Sequence, residues 1–346
     1  MRLLPTIILL SACRLLQAQS SGLISRIALG SCGHQDQQQP VLDLVRQHNP
    51  DLFVYLGDNI YGDTHDMNEL RAKYAQLAAK PEFQRLKKAV PMVATWDDHD
   101  YGSNDSGRHY PEKVASKELF LEFFNEPANS PRRQRPGIYT SYMYEGKGRR
   151  VQLILLDNRT FRDDLRIYRG ELNKDERFFY ALDYYPHETP DSTLLGEAQW
   201  KWLESELKKP ADLRIIGSGS QFSISFNGYE AWANFPHERQ RMLDLIKKTR
   251  ANGVLFITGD VHYGEISVLK ENGLYPIYDV TASGITSTWL FATPNDNRIE
   301  GPVMDNHFGQ ITVDWSLPDP LIKMEIYDVR DNQRVEYTVP LSTLSF

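Results

Sequence analysis

Cys32, Asp58, Tyr61, Asp97, Asp98, His99, Asp260 and His262 are the side chains of this sequence best suited to binding cations and moving protons, and all of them follow apolar runs. Ile27-Ala28-Leu29-Gly30-Ser31 leads into Cys32, and Leu56-Gly57 leads into Asp58-Asn59-Ile60-Tyr61. Val93-Ala94-Thr95-Trp96 leads into Asp97-Asp98-His99-Asp100, and Thr258-Gly259 into Asp260-Val261-His262. In a sheet whose strands run the same way, residues just past the carboxyl ends meet on one rim. Four such clusters can therefore build one site. Asp58, Asp97, Asp98, Asp100 and Asp260 crowded together without cations would repel one another and lose hydration, and divalent or trivalent ions would cancel that cost. A simpler reading makes each Asp the cap of the helix that follows its strand, worth about 1 kcal/mol. It does not explain why His99 and His262 lie within two residues of an Asp, or why a cysteine ends the first strand.

A two-metal site needs a bridging carboxylate, further oxygen and nitrogen ligands on each ion, and a protonated group near the leaving oxygen. Asp58, in a short Gly-Asp turn, suits the bridge. His262 offers a neutral nitrogen, and Asp260 lies two residues before it. Cys32 and Tyr61 are anionic ligands of the kind a trivalent ion such as Fe(III) stabilises. His99 suits a proton donor or a partner of a phosphate oxygen. Taken singly, Tyr61 reads as a packed aromatic and His99 as a surface residue; their joint occurrence carries the metal reading.

Leu56 to Tyr61, the run Trp96-Asp97-Asp98-His99-Asp100-Tyr101-Gly102-Ser103-Asn104-Asp105, and Thr258 to His262 resemble the blocks of the alkaline phosphatase D (PhoD-like) family of calcineurin-like metallophosphoesterases. The resemblance covers the chain from Arg26 to Tyr337. It implies an α/β fold, a four-layer α/β/β/α sandwich of two mixed sheets with outer helices. It also implies a dinuclear centre of Fe(III) with Ca(II), zinc or manganese being the alternatives. On that resemblance Cys32, Asp58, Tyr61 and His262 surround one metal, and Asp58, Asp98 and Asp260 the other. Asp98 takes the place of a superfamily asparagine and His99 that of the histidine after it, which makes these two the catalytic candidates. Asn104, Asp97, Arg159 and Gln221 are candidates for touching substrate or supporting the ligands. Arg159 lies in Leu156-Asp157-Asn158-Arg159-Thr160-Phe161-Arg162, similar to a family block with Thr at the position of Asn158. Gln221 lies in another such block, Gly217 to Phe222. The implied activity is hydrolysis of phosphomonoesters or phosphodiesters by a metal-activated water. Two family features, an N-terminal β-domain and a twin-arginine signal, are not expected in this chain, and the stretch 163–195 resembles no family block.

The elements that must position these residues follow from periodicity. Strands are predicted at Arg26 to Gly30, Leu52 to Leu56, Met92 to Thr95, Ile138 to Tyr144, Val151 to Leu156, Leu213 to Gly217 and Val254 to Thr258. Helical patterns separate them at Val41 to Arg46, Met67 to Ala79, Glu112 to Phe124, Glu197 to Leu207 and Pro236 to Arg250. From Ile266 onward the pattern is mainly strand: Ile266 to Lys270, Tyr275 to Val280, Gly309 to Trp315, Leu321 to Val329 and Val335 to Val339. Alternation followed by a run of strands predicts two sheets packed face to face with helices outside. Residues 163–195, rich in Asp, Tyr, Arg and Pro without a steady period, read as a surface excursion, a lid or substrate-side loop.

The chain has 346 residues, 41% of them hydrophobic and 25% charged, which is ordinary for a globular protein, and one domain is expected over 22–346. A net charge of -7 provides no basic surface for nucleic acid, so no stable nucleic-acid partner is expected. Residues 1–18 read as a signal peptide with a hydrophobic run from Leu3 to Leu10, so the protein is expected to be exported. Two processing readings compete: plain cleavage after Leu16-Gln17-Ala18, or lipoprotein processing that leaves an acylated Cys13 as a membrane tether. Either way Cys32 is left as a lone thiol, buried or bound to metal. The expected partner is a phosphate-ester small molecule. A phospholipid is a second reading, prompted by export and by Phe178, Phe179, Tyr180, Tyr184 and Tyr185 of the excursion. A non-enzymatic reading, a calcium-stabilised surface protein, sits poorly with Cys32 and His262, because calcium takes oxygen ligands.

Overall fold

The computed structural model describes residues 22–169 and 182–346. The expected leader 1–18 with Cys13, and Phe178, Phe179 and Tyr180 of the excursion, lie outside the described residues.

Strands and helices alternate at first: β1 (Arg26–Gly30), α1 (Val41–Gln47), β2 (Leu52–Leu56), α2 (Met67–Ala79), α3 (Pro81–Ala89), β3 (Met92–Thr95), α4 (Asp98–Tyr101), α5 (Lys113–Phe123) and α6 (Pro131–Gln134). The hairpin β4 (Thr140–Gly146) and β5 (Arg149–Leu155) follows, then a short ribbon of β6 (Arg166–Ile167) and β7 (Tyr184–Tyr185). Alternation resumes with α7 (Gly196–Leu207), β8 (Leu213–Ser218), α8 (Pro236–Thr249) and β9 (Val254–Thr258). The remainder is β10 (Gly264–Leu269), β11 (Ile277–Ala282), β12 (Arg298–Val303), β13 (His307–Asp314), β14 (Leu321–Asp328) and β15 (Gln333–Pro340).

Among the described residues these strands form two large mixed sheets. One runs β15-β14-β13-β1-β2-β3, the other β12-β10-β11-β9-β8-β5-β4. Within the first, β1, β2 and β3 are parallel; within the second, β5, β8, β9 and β11 are. Parallel strands need both faces covered, and β2 and β9 are accordingly buried along their whole length rather than alternating. On β2, Leu52, Val54 and Leu56 join the core shared with the second sheet and with α7 and α8, whereas Phe53 and Tyr55 join a separate core with α1, α2, α3 and α5. The layers are therefore helices, sheet, sheet and helices, as the sequence predicts.

Most predicted boundaries differ from the observed ones by a residue or two, the usual fraying of ends. The differences beyond that have local causes. Pro81 marks a stop after α2, yet it restarts the chain as the first residue of α3, where a proline's missing N–H costs nothing. β12 escapes prediction because Gly301 and Pro302 interrupt it; the strand forms at the sheet's edge, where a proline is tolerated. The described parts of the excursion, 163–169 and 182–195, hold the β6–β7 ribbon and end in the buried Leu194 and Leu195.

Candidate metal centre

All parallel strands of both sheets end on one side, so the loops after β1, β2, β3, β9 and β11 meet at the seam between the sheets. The turns there are tight. Cys32, Asp58, Asp260 and His262 have φ of 59°, 49°, 79° and 53°, left-handed values that non-glycine residues adopt at a cost near 1 kcal/mol or more. Such strain, repeated at four positions, marks backbone held for side-chain placement. Two glycines admit the approach of Asp97: a Cβ on Gly57, whose φ is 102°, would strike the Cβ of Asp97, and one on Gly219 would strike its carboxylate.

Three overlapping groups result, each with ligand atoms within 4.8 Å of one another: Cys32, Asp58 and His262; Asp58, Asp98 and His99; Asp97, Asp98 and Asp260. Asp58 belongs to two of them and Asp98 to two. Cys32 Sγ lies 3.4 Å from Asp58 Oδ2. Tyr61 Oη completes the first group's surroundings, 3.1 Å from His262 Nε2 and 3.0 Å from Ser287 Oγ. The Tyr61 ring sits between the imidazoles of His34 and His99, with centroids 4.8 Å and 4.2 Å away.

Electrostatics make the need for cations concrete. Burial, with Cys32 and Asp98 nearby, pushes the Asp58 carboxyl well above the ordinary carboxylate range. Burial and the neighbouring carboxylates Asp97 and Asp98 do the same to Asp260. Burial pushes Asp100 up to about 7 and the Cys32 thiol up to about 12. Asp98 goes the other way, to about 2: burial opposes its charge, but Arg159 and His99 outweigh it. Burial also acts against a charged His99, yet Asp58, Asp98 and Asp63 push it up to about 10. Burial first, then the charge on His99, lowers His262 to about 4, leaving a neutral imidazole able to donate a lone pair. Arg159 is the guanidinium set against these carboxylates, and Glu230 shares it.

The residues fit a pair of metal ions. Buried Asp97 Oδ2 and Asp98 Oδ1 have no hydrogen-bond partner, an arrangement that is costly unless something else satisfies them. The donor set combines thiol, phenol and imidazole on one side with carboxylates on the other, which suits a transition metal beside a harder ion.

The remaining candidates fall in different places. Arg159 is fully buried; its Nε donates to Asp97 at 2.7 Å and its Nη1 to Glu230 at 2.6 Å, so it braces a carboxylate rather than facing solvent. Asn104 is exposed at the rim, its amide on Asp105 at 2.8 Å and its backbone N–H on Asp63 at 2.9 Å. Gln221 belongs to none of the three groups: its side chain donates to Glu265 at 3.0 Å and Thr281 at 3.1 Å within a buried polar network.

Several partners were not singled out from the sequence. Asp63 accepts from His99 Nδ1 at 2.8 Å and turns Nε2 toward Asp98, 3.9 Å away. The backbone N–H of Asp105 donates to Asp98 at 2.8 Å, and Tyr184 of the ribbon donates to the Asp105 carboxylate. Ser283 lies 3.0 Å from Cys32 Sγ, and Glu230 joins Arg159 to Arg162. Asp63, five residues beyond Asp58, carried a signal in its spacing; Glu230 and Ser283 carried none, being separated in sequence from their partners by whole strands.

Residues 27–301 match the family of PhoD-like phosphatases. The chain belongs to that family. Alkaline phosphatase D of Bacillus subtilis is 26% identical over 251 residues, covering 64% of this chain and 40% of that protein, so the chain spans less than half the length of this relative. Among solved structures, that of PhoD superposes with a TM-score of 0.69 at 20% identity, covering 93% of this chain and 72% of the other. A dimetal phosphatase from Danio rerio gives a TM-score of 0.55 at 15% identity, with 92% and 99% covered. GAP50, the anchor in the inner membrane complex of Plasmodium, also gives 0.55 at 14% identity, with 93% and 89% covered. At these identities the superpositions establish the fold of this PhoD-like chain.

Proposed function

We propose that this protein is an exported phosphoesterase that hydrolyses phosphate esters at a dinuclear metal centre. The observation that carries the reading is the overlap of three ligand groups through Asp58 and Asp98 at the seam of the two sheets. Cys32, Asp58, Tyr61 and His262 would hold one ion, and Asp58, Asp98 and Asp260 the other. Fe(III) with Ca(II) suits those two donor sets; zinc or manganese are the other candidates for the first. Bound ions would neutralise phosphoryl charge and lower the pKa of water.

The chain's own residues do the rest. His99, with Nδ1 tied to Asp63, presents Nε2 toward the site and holds the proton that the departing ester oxygen requires. As water's oxygen bonds to phosphorus, the P–O bond to the alcohol breaks and the His99 proton passes to that oxygen, while the proton lost by the water goes to solvent, from which His99 is reprotonated. Arg159 pairs with both Asp97 and Asp98 and, with His99, holds Asp98 in its ionised form. Asn104, exposed near His99's partner Asp63, is our candidate for meeting substrate. Metal-loaded protein is expected to cleave p-nitrophenyl phosphate or its bis-ester, and Asp58→Ala to lower turnover by at least about 10³-fold. Full activity in that variant would remove the reading.

A further inference from the structure

The two walls of the candidate centre differ in chemistry. On the His99 side the rim is polar, formed by Asp63 and Asn104. On the His262 side it is aromatic: the Trp289 ring packs edge-on against the His262 imidazole with centroids 5.3 Å apart, with Phe291 stacked 5.6 Å and Tyr229 4.9 Å from it. Between Trp289 and Phe291 stands Leu290, 99% exposed.

This loop is pinned at both ends. The backbone N–H groups of Thr286 and Ser287 donate to Cys32 O at 3.1 Å and 3.2 Å, and that of Trp289 to His262 O at 3.1 Å. Thr293 is held by Tyr263 at 2.7 Å and by Arg298, also at 2.7 Å. A fully exposed leucine on a rigid loop gains nothing for folding, since none of its apolar surface leaves water. A phosphoryl group held at the candidate centre would have these apolar side chains as neighbours on the His262 side.

We propose that Trp289, Leu290 and Phe291 form a specificity wall that takes an apolar ester arm, the one that stays on phosphorus while the other leaves on the His99 side. The inference rests on the phosphoesterase reading and narrows it to diesters carrying an aryl or acyl-like group.

The test compares phenyl p-nitrophenyl phosphate with methyl p-nitrophenyl phosphate, which share charge, leaving group and chromophore and differ in the retained arm. Wild-type protein is expected to favour the phenyl ester, and Trp289→Ala to reduce that preference roughly tenfold, mainly through KM. Leu290→Asp, whose side chain is in solvent and cannot disturb folding, should reduce it roughly threefold. Equal loss on both esters, an unchanged ratio, or a loss seen only with micellar esters overturns the wall. Failure of wild-type protein to cleave either ester removes the phosphoesterase reading itself, a distinguishable result.

Discussion

His99 shows how much a single pairing decides. Without Asp63 its ring would be free to rotate and its tautomer unset; with Nδ1 donating to that carboxylate, Nε2 is committed to the site. Asp63→Asn keeps the shape and removes the charge. It is expected to lower kcat roughly 10–100-fold while leaving metal content unchanged, checked by turnover beside elemental analysis of the same preparation. Cys32, Asp58, Tyr61, His99 and His262 were legible in the sequence because each sits next to a strand that announces itself by its apolar run. Glu230 was not. Its partner, Arg159, is reached only after the chain has folded back, and a carboxylate in a loop has no local mark that distinguishes a brace from a solvated charge. Gln221 shows the converse: a polar residue within a matching block whose side chain is spent on Glu265 and Thr281.

Strand ends, not strands, carry the chemistry. β1, β2, β3 and β9 were read from the sequence almost to the residue, because buried parallel strands are short apolar runs bounded by glycine or acid. α3 and β12 were hidden by prolines whose meaning depends on position in the fold. The loops between elements are packed as tightly as the core. Gly219 lies against the Asp97 carboxylate, so Gly219→Ala must displace the group that Arg159 grips. That variant is expected to lose about 1–3 kcal/mol, read as a lower midpoint in denaturant melts, together with weakened metal binding. A melt indistinguishable from wild type would show that Asp97 has room to move.

Across the whole molecule the centre depends on two sheets staying in register: Cys32, Asp58 and Asp98 come from one, Asp260 and His262 from the other. His307 of β13 helps fasten them. It is fully buried, accepts from the Ser283 backbone N–H at 3.1 Å through Nε2 and donates from Nδ1 to Asp305 O at 2.8 Å. Accepting from Ser283 requires an unprotonated Nε2, and burial, working against the Asp305 carbonyl, lowers the ring's pKa from 6.5 to about 4. The unfolded chain therefore takes up a proton before the folded one does. The contribution is complete above pH 6.5 and is lost as pH falls toward 4, on the order of 3 kcal/mol in all. Denaturation of wild type and His307→Gln across that window is expected to show the steeper fall in wild type; parallel curves would contradict the assignment.

A fold by itself does not fix a function; the site it carries does. Here that site is a donor set, and it can be counted. Elemental analysis of protein purified without added metal, run beside Asp58→Ala, is expected to find about two ions per chain with a transition metal among them, and a loss of both in the variant. Calcium alone, or metal content indifferent to the loss of Asp58, would contradict a shared dinuclear centre.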